Sequence, residues 1–470
     1  MERKRQSFVW KAACMAALCL FLAGCGKDGG QNLPENTPEP QEILDERDRD
    51  SGSGTEEDKS TMDEEDAEEP VMEEKTLKEA VGKKMGGFIG AGVTASELED
   101  EKVWEIITTQ FNAVTLGNEL KPDCLFGYSN GKCPGTEETE LNGETLIVPR
   151  MDYSRAEKML DKILDWNQNN PNDALKVRGH VLVWHSQTPE WFFHEDYDKE
   201  KPYVDKETMD KRLEWYIRTV LTHFAGEDSK YKGMFYGWDV VNEAVSDGSG
   251  TYRSDNENPE EPLSKDTHGS NSSWYHIYQS NEYIINAFRY ANKYAPAEVE
   301  LYYNDYNECS GLKMGGISEL LKAVKAQEGA PGEGTRIDGM GMQGHYGMTS
   351  PDMSQIDMAA RVYSQIVGTV QLTELDLRAS DTYDGTLESR EKEFERQAGR
   401  YRIIYRIFCS LNSESQVSTG ITFWGTVDHY SWLQSRSDVG GGTDGTLPQC
   451  PLLFDENYEK KPCFYVFLEE

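Results

Sequence analysis

Met234-Phe235-Tyr236-Gly237-Trp238-Asp239-Val240-Val241-Asn242-Glu243 is a mostly apolar run that closes on two adjacent polar residues, Asn242 and Glu243. A strand covered on both faces by helices reads as such a run, without the strict alternation of a half-exposed strand. The pattern recurs upstream at Gly86–Val93, Phe111–Leu116 and Val177–Trp184. Downstream it returns at Val299–Tyr306, Ile337–His345, Thr369–Leu377 and Gly420–Gly425. Amphipathic segments lie between these runs: Tyr153–Asn167, Lys206–Phe224, Asn281–Tyr294, Ser318–Gln327 and Arg390–Ser410. Eight strand-then-helix units over roughly 395 residues predict an α/β fold, a (β/α)8 TIM barrel. A doubly wound open sheet is the alternative, but no G-x-G-x-x-G follows the first strand. No internal repeat of solenoid period is present.

Polar residues gather at the C-terminal ends of these strands, where a barrel of this kind keeps its active site. The second strand runs into Asn118, Glu119 and Lys121, and the third carries His180, Trp184, His185 and Gln187. The fifth ends in Asn304, Asp305, Tyr306 and Asn307, the sixth in Gln343 and His345, and the seventh in Glu374 and Asp376. The eighth brings Trp424, with Trp432 in the loop after it. Each polar residue taken singly is explained by a structural hydrogen bond, and Glu374 with Asp376 also fits an ion-pair group with Arg378. Seven consecutive strands ending this way exceed what core packing requires, because a polar group buried without a partner is costly.

The chain has 470 residues and a formal net charge of −36. Residues 1–24 read as an export signal, with Arg3, Lys4, Arg5 and Lys11 before an apolar run from Ala12 to Leu22. Leu22-Ala23-Gly24-Cys25 resembles a bacterial lipoprotein box, so Cys25 is the expected lipidation site. From Gly26 to Glu74 there are 19 Asp and Glu against 4 Lys and Arg, with no aromatic residue. Residues 25–75 therefore read as a lipid-bearing Cys followed by a disordered acidic linker, and residues 76–470 as the catalytic domain. The acidic balance excludes nucleic acid as a partner and leaves the membrane to the lipid alone. Among the remaining cysteines, Cys124 and Cys133 flank a polar loop and form the most plausible disulfide. No C-x-x-C or H-E-x-x-H is present, and His180 and His185 lie five apart, so no metal or other cofactor is expected. The Gly440–Asp444 loop lacks the pattern of a phosphate cradle.

Two glutamates at strand ends suit cleavage of a glycosidic bond. One carboxylic acid protonates the leaving oxygen while the other attacks, or activates water, on the opposite face. Glu243 and Glu374 are the candidate pair. Asn242 is placed to hold a sugar hydroxyl, and His345 with Asp376 to orient Glu374 and keep it ionised. Trp184, Trp424 and Trp432 offer flat apolar faces suited to sugar rings.

Several motifs carry a family resemblance. Arg178-Gly179-His180-Val181-Leu182-Val183-Trp184-His185-Ser186-Gln187, Trp238-Asp239-Val240-Val241-Asn242-Glu243-Ala244 and Thr373-Glu374-Leu375-Asp376 resemble signatures of the glycoside hydrolase family 10 xylanases. Leu301–Asn307, Gly339–His345 and Phe423-Trp424-Gly425 match in the same strand order. The resemblance implies a retaining endo-β-1,4-xylanase, with Glu374 as nucleophile and Glu243 as general acid/base. Their carboxyls are then expected about 5–5.5 Å apart. It further implies that Asn118, Lys121, His180 and Trp184 bind the glycone side, Tyr306, Gln343, Trp424 and Trp432 the rest of the cleft, with Gln187 a further substrate-binding residue. Xylan and xylo-oligosaccharides are the implied partners, the protein acting as a monomer held to the cell surface by its lipid.

The match is incomplete. Gly117 stands where the family often has Glu, Val181 where Thr is common and Thr188 where Leu is common. Cys124–Leu146 and Thr251–Ser273 are longer than a minimal barrel needs. A β-1,4-glucanase or cellobiohydrolase-like barrel and a non-catalytic, lipid-anchored glycan-binding protein are the competing readings. The second predicts loss of one carboxylate, and both are present.

Overall fold

The computed structural model describes residues 75–129, 131–264, 270–415, 417–436 and 449–469. The proposed signal, Cys25, the acidic linker and the Gly440–Asp444 loop lie outside the described residues.

Eight parallel strands close on themselves: β1 (Ile89–Val93), β2 (Ala113–Leu116), β3 (Lys176–Gly179), β4 (Phe235–Asn242), β5 (Glu300–Asp305), β6 (Gly339–Met342), β7 (Thr369–Arg378) and β8 (Ser418–Phe423). Each pairs with its neighbour in sequence, and β8 returns to β1 with Ile89 opposite Ile421 and Ala91 opposite Phe423. This is the expected (β/α)8 barrel. Closure removes every sheet edge, and the helices outside bury the outer faces, which is why the strands read as apolar runs. Two strands resume after a break: Val183–Trp184 pairs again with β4, and His345–Gly347 with β7. Both breaks fall at the mouth of the barrel.

The helices follow their apolar stripes. Ser154–Asn169 buries Ala156, Met159, Leu160 and Ile163, one face at helical spacing. Lys206–Ala225 starts at Asp205, whose carboxylate accepts the Thr208 amide. The segment read as Ser318–Gln327 begins earlier, at Gly311, and the last long helix extends to Leu387–Ser415. Trp191 and Trp215 are core residues.

One expectation is corrected, within the long stretch Cys124–Leu146. That stretch contains most of an antiparallel hairpin, Thr136–Leu141 with Glu144–Pro149, turned at Asn142 (φ 52°) and Gly143 (φ 85°). Two successive left-handed residues make a hairpin turn whose twist matches its strands. Cys124 and Cys133, expected as a disulfide, are both free thiols, as are Cys309, Cys409, Cys450 and Cys463. Cys124 is buried in the short helix Pro122–Leu125, while the Cys133 thiol donates to the Gly135 carbonyl at 3.5 Å.

Candidate active site

Inside the barrel a buried ion pair sets the floor of the site. The Arg178 guanidinium donates to Asp239 at 2.6 and 3.1 Å and to Gln371 at 3.0 Å, and it lies 4.0 Å from the Tyr302 ring centroid. The other side of Asp239 meets His180 Nδ1 at 3.0 Å. Burial pushes the Asp239 carboxyl up, but Arg178 and His180 outweigh it and hold the group below its usual range. Sequence reasoning named His180 but missed Arg178 and Asp239, although both stand inside its quoted motifs.

Above this floor the two candidate carboxylates are joined by amides. Asn304, at the end of β5, donates to Glu374 Oε1 at 2.8 Å and to Asn242 Oδ1 at 3.0 Å, and it accepts from the Thr373 hydroxyl at 2.6 Å. Gln343 donates to Asn242 Oδ1 at 3.2 Å and to Glu243 Oε1 at 2.9 Å. Asn242 Nδ2 meets Glu243 Oε1 at 3.2 Å. Gly341 makes this possible, because a side chain there would lie 2.2 Å from Asn304 Oδ1. Asn304, noted in the sequence as a polar strand end, was given no role there, although it joins both candidate halves of the site. Its signal was its place beside Asp305 at a strand end.

Glu374 is buried and has a second contact, 3.2 Å from Oε2 to His345 Nε2, while His345 Nδ1 meets Asp376 at 3.0 Å. Burial pushes the imidazole down, but the Asp376 charge and the two hydrogen bonds lift it to about 10. His345 is therefore an imidazolium at neutral pH and donates through both nitrogens. For Glu374 burial again acts upward, and the His345 hydrogen bond with the nearby His180 overcomes it, holding the carboxyl below its ordinary value. Trp432 donates to the same Asp376 oxygen at 2.7 Å. Arg378, offered by the sequence as an ion-pair partner of Glu374 and Asp376, pairs with neither; His345, Asn304 and Trp432 take those oxygens.

Glu243 is held from several sides. Trp184 donates its indole N–H to Oε2 at 2.8 Å. The Glu243 backbone is left-handed (φ 55°), with its N–H bonded to the Asn304 carbonyl at 2.9 Å and its own carbonyl accepting from Arg253 at 3.0 Å. Arg253 also reaches Tyr306, whose hydroxyl donates to Asp247. Lys313 lies beneath, fully buried, 3.0 Å from both Asp305 and Asp247 and 3.5 Å from the Tyr306 ring centroid.

On the opposite wall Lys121 donates to Asn118 at 3.2 Å and Gln187 at 3.1 Å, and sits 5.2 Å from the Trp184 ring. Burial lowers its ammonium group's pKa, opposed by Glu374, Asp123 and Glu243. Trp424 is edge-on to His180 at 5.7 Å. All fourteen catalytic, supporting and substrate-binding candidates line one cleft of about 1160 Å³, open along the mouth of the barrel. Among the described residues no group of three His, Cys, Asp or Glu side chains is arranged to hold a metal ion. A buried carboxylate opposed by a half-buried one, with flat rings and amides around them, is equipped for acid/base and nucleophilic work on a neutral polyol.

Curated relatives are xylanases. The chain is 32% identical over 382 residues to endo-1,4-beta-xylanase Y of Acetivibrio thermocellus, covering 80% of this chain and 30% of that protein. It is 32% identical over 403 residues to endo-1,4-beta-xylanase A of Thermotoga maritima, covering 85% and 31%. The match thus spans about a third of the length of these relatives. A putative endo-1,4-beta-xylanase of Caldicellulosiruptor saccharolyticus is 34% identical, with 63% of this chain matching 85% of that one. Among solved structures, the N-terminal endo-1,4-beta-D-xylanase 10B of Clostridium thermocellum in complex with xylohexaose superposes with a TM-score of 0.65 at 28% identity, over 83% of this chain and 68% of that one. A second structure, in complex with xylotriose, gives 0.63 at 28% identity over 84% and 100%. Residues 76–470 match glycosyl hydrolase family 10, and the chain belongs to that family.

Proposed function

We propose that this protein is a retaining endo-1,4-β-xylanase that cuts internal bonds of xylan by double displacement. The observation that carries this reading is the state of Glu374: buried, yet held ionised by His345 and Asn304, and linked through the Asn304 and Asn242 amides to the acid Glu243. An ionised carboxylate with both oxygens oriented is a nucleophile for the anomeric carbon. Glu243 Oε2, held by Trp184, protonates the departing oxygen and then, as a carboxylate, takes a proton from the water that releases the glycosyl–enzyme. The Asn242 amide turns from Glu243 to the sugar 2-hydroxyl when substrate enters. Trp424 and Trp432 cover the ring beside Glu374. The names of the relatives and the xylohexaose and xylotriose complexes of neighbouring structures support xylan over glucan.

The test is hydrolysis of xylan against a soluble cellulose derivative. Glu374→Ala is expected to abolish hydrolysis and retain xylo-oligosaccharide binding. Glu243→Ala is expected to lose most activity on poor leaving groups and to regain part with azide. Preferred turnover of glucan, or full activity in Glu374→Ala, would overturn the reading. We also infer an export signal over 1–24 and a lipid on Cys25 followed by an acidic spacer, from the basic start, apolar run and Leu-Ala-Gly-Cys of the sequence. Labelled palmitate should enter the wild-type protein in a bacterial host and not Cys25→Ser.

A further inference from the structure

Arg378 is the last residue of β7 and the only exposed one on that strand. It lies four residues beyond Glu374, about 13 Å along an extended strand, so it stands at the rim of the cleft above the nucleophile. Directly opposite it in the parallel pairing is Gly347, just as His345 is opposite Asp376. A Cβ at Gly347 would sit 3.9 Å from Arg378 Nη2, so the guanidinium runs beside bare backbone rather than a side chain. Ser350 and Gln355 continue this arm of the cleft. Asp376, two residues before Arg378 on the same strand, is already engaged by His345 and Trp432. Among the described residues Arg378 has neither a hydrogen-bond nor an ion-pair partner. A second cation, Arg436, faces the same cleft, its guanidinium 4.7 Å from the Trp432 ring centroid.

The setting gives this meaning. The chain carries 84 acidic against 48 basic residues, and many of its exposed cations, Lys158, Lys201, Lys206 and Lys230 among them, are matched with carboxylates. A permanent planar cation without such a partner, beside open backbone, is a fork suited to a carboxylate from outside. We infer that Arg378 determines specificity for xylan carrying a carboxylate-bearing, uronic-acid branch, binding that carboxylate as the branch leaves the cleft. The inference rests on the xylanase reading above. A neutral pentose branch has no charge for Arg378 to meet, so the contact separates acidic from neutral decoration. The protein's overall negative charge works against acidic xylan, and this contact acts locally against that repulsion.

The experiment compares kcat/KM on linear xylohexaose, an arabinose-branched and a uronic-acid-branched xylo-oligosaccharide, for wild type, Arg378→Ala and Arg378→Lys. The ratio of acidic-branched to linear activity is expected to fall about five-fold in Arg378→Ala, the yield of an exposed ion pair, and less in Arg378→Lys. The same ratio in wild type should decline as salt is raised, and the arabinose-to-linear ratio should not follow it. An unchanged acidic ratio in Arg378→Ala, or an equal fall with the neutral branch, overturns the inference. Failure of the wild-type protein to cleave any of the three substrates counts against the xylanase reading instead. Calorimetric titration of the acidic-branched and linear oligosaccharides then reads the Arg378 contact on its own, and equal affinity ratios in wild type and Arg378→Ala overturn it.

Discussion

The Trp184 indole N–H donates to Glu243 Oε2 at 2.8 Å, so a residue read from sequence as a sugar platform also orients the carboxyl proposed as the acid. Trp184→Phe keeps an aromatic face and removes that donor. A hydrogen bond contributes about 0.5–1.5 kcal/mol net, so kcat/KM should fall about two- to ten-fold. The loss should be greatest on aryl xylobiosides with poor leaving groups, where protonation matters most. Equal losses across a leaving-group series would assign Trp184 to binding alone.

Asn304 is bonded to Glu374, Asn242 and Thr373 at once. Asn304→Ala leaves Glu374 Oε1 and the Thr373 hydroxyl without that partner in a buried setting. It should lower kcat/KM by about ten- to a hundred-fold and cost about 1–3 kcal/mol of stability. Asn304→Asp sets a second carboxylate against Glu374 and should be worse for activity than Asn304→Ala. Steady-state kinetics with denaturant unfolding on both variants checks the order.

The charge on His345 links stability to pH. Its group is raised from 6.5 to about 10, so its contribution is complete below about pH 6.5, declines from there to about pH 10 and is absent above it. Glu374 acts in the opposite sense. Its depressed carboxyl contributes above 4.5, and that contribution is lost as pH falls through the folded-state value. The difference in Tm between wild type and His345→Asn should therefore narrow as pH rises from 6.5 towards 10. A constant difference across that window would mean that His345 is neutral throughout.

Lys461 and Asp428 form a buried pair at 2.9 Å, and the ammonium also donates to the Cys450 and Leu452 carbonyls at 2.7 Å each. Lys461→Ala strands Asp428 in the interior, a change of about 3–5 kcal/mol for a broken buried pair. Urea unfolding should show that loss. Lys461→Ala with Asp428→Asn should recover part of it, because the stranded charge is gone.

The strands were legible because barrel strands are buried on both faces, and the carboxylates because a polar pair ending such a run is conspicuous. The Asn142-Gly143 hairpin was legible in principle as a turn signal, but its strands, Thr136–Leu141 and Glu144–Pro149, are mostly exposed, bury only their ends and show no apolar alternation. The partners of the site were hidden for another reason. Asn304 meets Glu374 across 70 positions and Arg178 meets Gln371 across 193, contacts set by the curvature of the closed sheet and not by local spacing. The expected pairing of Cys124 with Cys133 fails on the same ground, since nearness in sequence does not bring two thiols together when one is enclosed in a helix.

The left-handed backbone of Glu243 sets a limit on engineering the domain. A glutamate at φ 55° carries conformational energy of about 1–3 kcal/mol that glycine would not, and the Asn304 and Arg253 contacts hold it there. Selection for heat resistance alone would therefore find a gain at the very residue proposed as the general acid/base. Any campaign to stabilise this barrel has to screen for activity alongside melting temperature, or it will drift towards an inert fold.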